Sequence, residues 1–253
     1  MDYPTEGVPK LANGKPNLTA PAPKAADGKP DLSGMWETGD PSQCPKIMRS
    51  NDGECVEKSP LARQAGNIAI GRPDGLPLQP WAADLVKSRV VNLGKDDPHT
   101  HCLPNSFPRA YGLPHIQKFI QTKGLLLMLG EFNAEYRQVF TDGRPLPNDP
   151  QPTWNGYSVG KWDGETLVID TIGFRDDIWL DMAGNPLTEA AKVTERIRRP
   201  NFGSLEVDLT INDPKAYAKP WTVKLRQRIV LDTEMMDEIC AEGEQSVQHM
   251  VGK

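Results

Sequence analysis

Residues 124–174 read GLLLMLGEFNAEYRQVFTDGRPLPNDPQPTWNGYSVGKWDGETLVIDTIGF, and their second half decides the fold. Residues 156–162 read as a strand, Asp163-Gly164 is a hairpin turn signal, and residues 166–172 read as the returning strand. Further strands are expected at 116–122, 125–131, 135–141, 193–199, 204–211, 222–231 and 235–241. Their connections are short and carry Gly, Asp-Gly or Pro, with no helix-length segment beyond a turn near 188–192. The pattern predicts a mainly β fold, an antiparallel meander of eight or nine strands. Closing it into a barrel removes the two exposed edges that an open sheet would keep.

On the N-terminal side, GKPNLT at 14–19 and GKPDLS at 28–33 echo each other in a stretch of Pro, Ala, Lys and Gly. This predicts a long Pro-rich arm over 1–30, wrapping or disordered, followed by a single barrel domain over 31–253. Order is expected from Leu32-Ser33-Gly34-Met35-Trp36. That Gly-x-Trp opening resembles the first strand of lipocalin-like barrels, whose Trp plugs the closed end. The chain has 24 prolines against 22 glycines, concentrated in the first 110 positions. Proline cannot donate to a ladder, so 41–115 reads as irregular. The exception is a helix over 81–91, where Trp81, Leu85, Val86 and Val90 fall close to one stripe. One or two short helices in all are expected.

A net charge of −5 with an ordinary charged fraction argues against nucleic acid and against an anionic membrane as partners. No apolar run is long enough to span a bilayer, and no basic-then-apolar segment follows Met1. Of four cysteines, Cys44 and Cys55 bracket a short polar loop that a cross-link would restrain, whereas Cys102 and Cys240 lie far apart. A small buried thiol is the alternative for each.

Two motifs mislead. Gly156-Tyr157-Ser158-Val159-Gly160 matches the G-x-S-x-G elbow of serine hydrolases, which requires a strand turning sharply into a helix. Here a second strand follows, so Ser158 reads as an ordinary strand serine. His99-Thr100-His101-Cys102 offers metal-ligand types, and His99 and His101 would point the same way in an extended segment. No CxxC, HExxH or similar motif completes a site, so a polar loop is the preferred reading and no metal is expected.

Candidate chemistry lies in the carboxylates. Along 131–139 one parity carries Glu131, Asn133, Glu135, Arg137 and Val139. The other carries Phe132, Ala134, Tyr136, Gln138 and Phe140, which suits a packed face. Asp170 shares a parity with Val168 and Ile172, which would turn an acid toward an apolar layer and raise its pKa unless it is paired. Arg137, Arg144, Arg196, Arg198 and Arg199, with Glu195, are the available partners, and a salt-bridge network is the alternative to catalysis. Trp154, Phe174, Trp179 and Asp181, with Tyr157 and Trp162, could line a pocket for an oxygenated organic ligand. His115 is the best-placed imidazole for proton transfer.

Several runs together carry a family resemblance: Asp142-Gly143-Arg144-Pro145, Pro152-Thr153-Trp154, Gly156 to Trp162, Thr166 to Thr171, Trp179-Leu180-Asp181, Thr194-Glu195-Arg196 and Asp213-Pro214-Lys215-Ala216. The chain resembles a large family of exported bacterial proteins that opens on Asp-Gly-Lys-Pro-Asp-Leu-Ser-Gly-x-Trp, matched here by residues 27–36. The resemblance implies a periplasmic or secreted setting with a signal peptide removed. It implies no particular reaction. Relatives often carry histidine where this chain has Leu146 and Leu187, and sometimes where it has Tyr157, which implies a more apolar pocket or a protein that only binds.

The sequence therefore leads to an expectation of a cofactor-independent lyase, dehydratase or isomerase acting on a small oxygenated substrate inside the barrel. Asp170 or Glu131 would be the base, Tyr157 or His115 the proton donor, and Arg137 the stabiliser of developing negative charge. A non-catalytic small-ligand binding protein is the alternative. A serine- or metal-dependent hydrolase and an interaction module follow behind.

Overall fold

A computed structural model of the chain describes residues 3–39, 67–68, 72 and 74–243; Cys44 and Cys55 lie outside them. In chain order the elements begin with β1 (Gly34–Thr38), helix α1 (Pro80–Val91), a 3-10 turn (Pro98–His101) and helix α2 (Phe107–Ala110). Next come β2 (Gln117–Thr122), β3 (Leu125–Gly130), β4 (Tyr136–Phe140), β5 (Tyr157–Asp163) and β6 (Thr166–Ile172). The chain closes with β7 (Ile178–Trp179), β8 (Pro186–Leu187), β9 (Lys192–Asn201), β10 (Ser204–Asn212), β11 (Trp221–Val230) and helix α3 (Cys240–Gly243). Nine strands close into a barrel in the order β1-β11-β10-β9-β6-β5-β4-β3-β2, with β7 and β8 paired separately. Among the described residues no helix is long and apolar enough to cross a membrane.

The expected hairpin is present, with Tyr157 opposite Ile172 and Asp163 opposite Thr166. Two departures from a simple meander matter. Residues 235–241 form no strand; the ninth strand is β1, which closes the barrel between β2 and β11. And β4 runs parallel to β5, in register only at Val139 with Ser158 and Phe140 with Val159. A parallel pair needs a crossover rather than a tight turn, and the long 141–156 connection provides it with prolines at 145, 147, 150 and 152. Gly156 ends that connection at φ +62, where an added Cβ would lie 2.7 Å from the Ile172 carbonyl oxygen. Only glycine lets the chain enter β5 this close to β6.

Inside the barrel lies a packed core. Trp36, Phe119, Leu126, Met128, Leu167, Ile169, Val207 and Leu225 are all buried in one core, each large apolar side chain contributing roughly 1.5–3 kcal/mol. One end is stoppered by the arm, which is ordered rather than a loose leader. Its two echoing segments form matching turns, bridged at Lys10 with Pro16 and at Lys24 with Pro30. The Trp36 indole donates to the Leu32 carbonyl at 3.1 Å. Arg199 reaches from β9 to the carbonyls of Asp31, Ser33 and Phe202. The other end is stoppered by residues 105–113. Gln117 and Gln227 donate from inside the barrel to the carbonyls of Ala110 and Tyr111, at 2.7 and 2.8 Å. Arg109 fixes this plug through two bonds to buried Asp97, at 2.6 and 2.7 Å.

At the poorly paired β4–β5 seam, side chains do what backbone pairing does elsewhere. Arg137 projects inward from β4, donating from Nε to Ser158 Oγ on β5 at 3.0 Å and from Nη2 to Thr171 Oγ1 on β6 at 2.8 Å. Both its terminal nitrogens also bind Glu195 on β9, Nη1 at 3.0 Å from Oε1 and Nη2 to Oε2. Tyr111 of the plug donates its hydroxyl to the same Glu195 Oε1 at 2.7 Å. Burial alone would lower the Arg137 pKa, but the facing Glu195 carboxylate holds it above the ordinary arginine range. Burial together with Glu195 pushes the Tyr111 hydroxyl well up, so it remains a donor. Removing one partner of such a pair strands a buried charge, so Glu195→Ala should lower unfolding free energy in urea by about 3–5 kcal/mol. The double change Arg137→Met with Glu195→Leu should recover most of that loss; a cost for Glu195→Ala below about 1 kcal/mol would show that the pair does not hold the seam.

Candidate functional site

Where β4 and β5 part, a cavity of about 500 Å³ opens through the barrel wall. Its lining includes Glu135, Tyr136, Arg137 and Phe140 from one side and Trp154, Asn155, Tyr157 and Ser158 from the other. The volume is in the range of small-molecule sites, and the mixture of aromatic walls with few polar groups is what such sites use. Asn155 ties the walls together, donating to the Tyr136 carbonyl at 3.0 Å and accepting the Phe107 amide at 2.9 Å. At the rim Arg144 stacks over Phe140, 3.9 Å from the ring centre, and donates to the Tyr157 hydroxyl at 3.3 Å. Arg175 covers Trp154 at 4.8 Å. A second cavity, about 550 Å³, lies at the arm end between Ala25, Asp27, Gln121, Trp162 and Leu167. The titratable groups that line it, Asp27 and Lys123, are exposed.

Glu135 is the unusual group in the first cavity. It is 8% exposed, and its Oε1 accepts the Asn105 amide at 2.7 Å. Among the described residues no lysine or arginine forms an ion pair with it. Burial raises its pKa from 4.5 to about 7; the Asn105 and Ser106 amides and the more distant Arg109 oppose the shift without cancelling it. A carboxyl poised near neutrality on a cavity wall can both take and return a proton.

A strained hairpin presents this carboxyl. Asn133 and Ala134 link β3 to β4 with φ of 53° and 49°, the left-handed region that two-residue hairpin turns require. Asparagine tolerates it and alanine does so at a cost of about 1–2 kcal/mol. The turn is over-determined by its neighbours. Asn133 donates from Nδ2 to the Cys102 carbonyl at 2.9 Å and accepts the Cys240 amide on Oδ1 at 3.1 Å. Cys102 and Cys240 are joined in a disulfide with Cα atoms 5.3 Å apart, so both arms of the clamp are covalently tied.

The expected site residues divide. Trp154, Tyr157 and Arg137 line the cavity. Arg137 cannot stabilise a substrate charge, because its N–H groups are spent on Glu195, Ser158, Thr171 and the Met128 sulfur. Asp170 is on the outer face: Leu167, Ile169 and Thr171 point inward, and Asp170 accepts Thr194 Oγ1 at 2.7 Å and pairs with Lys192 at 2.9 Å. The parity along β4 is likewise reversed. Arg137 and Val139 are buried while Tyr136 is 61% exposed, because the Glu195 partner makes an inward arginine affordable.

Phe174 is fully buried core, and Trp179 lies buried beneath the Arg89 guanidinium, 4.2 Å from its ring centre. Asp181 organises a turn, accepting the amides of Ile68 and Asn185 and the Asn185 side chain; burial raises its pKa. None of these three lines the cavity. Glu131 and His115 sit behind the hairpin instead. Glu131 Oε2 accepts the Ile116 amide at 3.1 Å, and His115 Nδ1 lies 3.0 Å from Glu238 Oε2. The nitrogen of His115 and the carboxylate oxygens of Glu131 and Glu238 all fall within 4.8 Å of one another. His99 and His101 do not converge: His99 Nδ1 meets Asn105 Oδ1 at 2.9 Å and His101 Nε2 meets the Lys95 carbonyl at 2.7 Å. Ser158 stands in a strand, as its context requires, and not in a nucleophile elbow.

No protein-family model and no curated protein matches this chain.

The raised Glu135 pKa makes stability depend on pH with a definite sign. Between pH 4.5 and 7 the folded state holds a proton that the unfolded state has released, so this contribution is fully present below 4.5 and is lost as pH rises through 7. Its size is roughly 3 kcal/mol. Glu135→Gln, which mimics the protonated acid, should gain stability relative to wild type across that window in urea titrations. Parallel wild-type and variant curves would refute the raised Glu135 pKa.

Proposed function

We propose that the protein is a cofactor-independent acid–base enzyme acting on a small oxygenated organic substrate bound at the β4–β5 seam. The single observation that carries this reading is the Glu135 carboxyl, buried with no cationic partner among the described residues in the wall of a 500 Å³ cavity, its pKa raised to about 7. Glu135 is the base that removes a proton from carbon next to a carbonyl. Tyr157, whose hydroxyl is polarised by Arg144 at the rim, donates a hydrogen bond to the carbonyl oxygen as negative charge builds there. The proton then returns from Glu135 to the former carbonyl carbon while the substrate's hydroxyl proton passes between the two enediolate oxygens, giving isomerisation, or goes to a departing β-hydroxyl, which leaves as water, giving dehydration. The substrate site in this reading is the seam, where Glu135 lies, and not the packed core of the barrel.

An exported setting is part of the proposal, supported by the Cys102–Cys240 disulfide, which persists in oxidising compartments. The second reading is a protein that only binds a small ligand. It draws on the aromatic lining and on an Arg137 fully occupied by its own partners.

The test is solvent-deuterium incorporation, followed by proton NMR, into a panel of small hydroxy-ketones and keto acids. Wild-type protein should catalyse exchange at the carbon next to the carbonyl for at least one compound, more rapidly as pH rises through 7. Glu135→Gln should lose about 10²–10⁴-fold while still binding it. Saturable binding without exchange, equal in wild type and variant, would favour the binding protein and defeat the enzyme.

A further inference from the structure

Behind the catalytic hairpin, three chain segments deliver one imidazole and two carboxylates to a single point: His115 ahead of β2, Glu131 after β3 and Glu238 ahead of α3. Backbone bonds, and not the side chains themselves, bring the segments together. The Glu131 amide donates to the Ile116 carbonyl at 3.0 Å, the Glu238 amide to the Glu131 carbonyl at 2.9 Å, and the Asn133 amide to the Glu238 carbonyl at 2.7 Å. The carboxylate of Glu131 is itself oriented by the Ile116 amide on Oε2, which leaves lone pairs on both oxygens for another partner. Phe132 packs against the His115 ring at 5.2 Å and limits its swing.

We propose that His115, Glu131 and Glu238 form a binding site for a borderline divalent cation of the Zn²⁺ class. Two donors on a tetrahedral Zn²⁺ with bonds of about 2.0–2.1 Å stand roughly 3.3 Å apart, close to the 3.0 Å between His115 Nδ1 and Glu238 Oε2. All three donor atoms lie within 4.8 Å of one another, and Glu238, whose side chain is 53% exposed, has room to adjust around an ion. An imidazole in the donor set selects Zn²⁺ over Mg²⁺, which prefers oxygen donors and octahedral geometry. Bound there, the ion would pin the segment carrying Glu238 to the β3–β4 hairpin, adding to the hold of the disulfide. It leaves one coordination position for water. The site is independent of the proposed catalysis at Glu135, which uses none of these residues.

The experiment is calorimetric titration of chelator-stripped full-length protein with ZnCl₂, with MgCl₂ as the control, alongside thermal melts. Expected are one Zn²⁺ per chain, a raised melting temperature with Zn²⁺ only, and at least tenfold weaker binding in both His115→Ala and Glu238→Gln. His99→Ala should bind as wild type. Glu238→Gln changes a half-exposed side chain and carries the test if His115→Ala does not fold. Absence of Zn²⁺ binding to wild type, or binding that both variants retain, overturns the proposal.

Discussion

The ion pair between Arg137 and Glu195 is the constraint on which the architecture turns. A barrel whose strands were all paired would need no polar group in its lumen, but β4 and β5 meet over only two residue pairs. The guanidinium spans that weakness, contacting β5, β6 and β9 at once, and Tyr111 brings the plug onto the same carboxylate. Such a pair is costly to desolvate and gains little over an apolar filling of equal volume. Its use here is geometric: it holds two strands near each other without zipping them shut, and the gap is the cavity.

The same gap explains how a carboxyl can be buried with no lysine or arginine beside it among the described residues. Glu135 directly precedes β4, its carbonyl accepting the Gly130 amide of β3 at 2.8 Å, and it shares the inward parity of Arg137 and Val139, so its side chain turns toward the plug and the cavity. The strain of two consecutive left-handed residues is met by bonds to both half-cystines. Closing so long a loop by a disulfide removes on the order of 4–5 kcal/mol of chain entropy from the unfolded state. Part of that stability supports the strained turn.

Much of the barrel was legible in the sequence because period-two alternation and turn residues are local signals. The Asp163-Gly164 hairpin and eight of the nine expected strands follow from them. The parallel seam was not legible, since pairing of β4 with β5 depends on a long connection with no local code. The site suffered most. Asp170 looked inward because it alternates with Val168 and Ile172, yet its strand packs Leu167 and Ile169 inside, and an equally apolar strand hides its own register. Glu135 was passed over because its parity carries charged residues; Val139 in that same set was the sign that the charged face is the inner one. The distant partner Glu195, which makes that face tolerable, lies 58 residues away.

If Glu135 is what sets this surface apart, its carboxyl must titrate where burial puts it. Following the side-chain carboxyl carbon of Glu135 by ¹³C NMR across pH 3–9, with Glu135→Gln to assign the resonance, tests that directly. The midpoint should fall at about 7. A midpoint near 4.5 would mean that water or a partner reaches the group, and the seam would then be a structural gap and not a site.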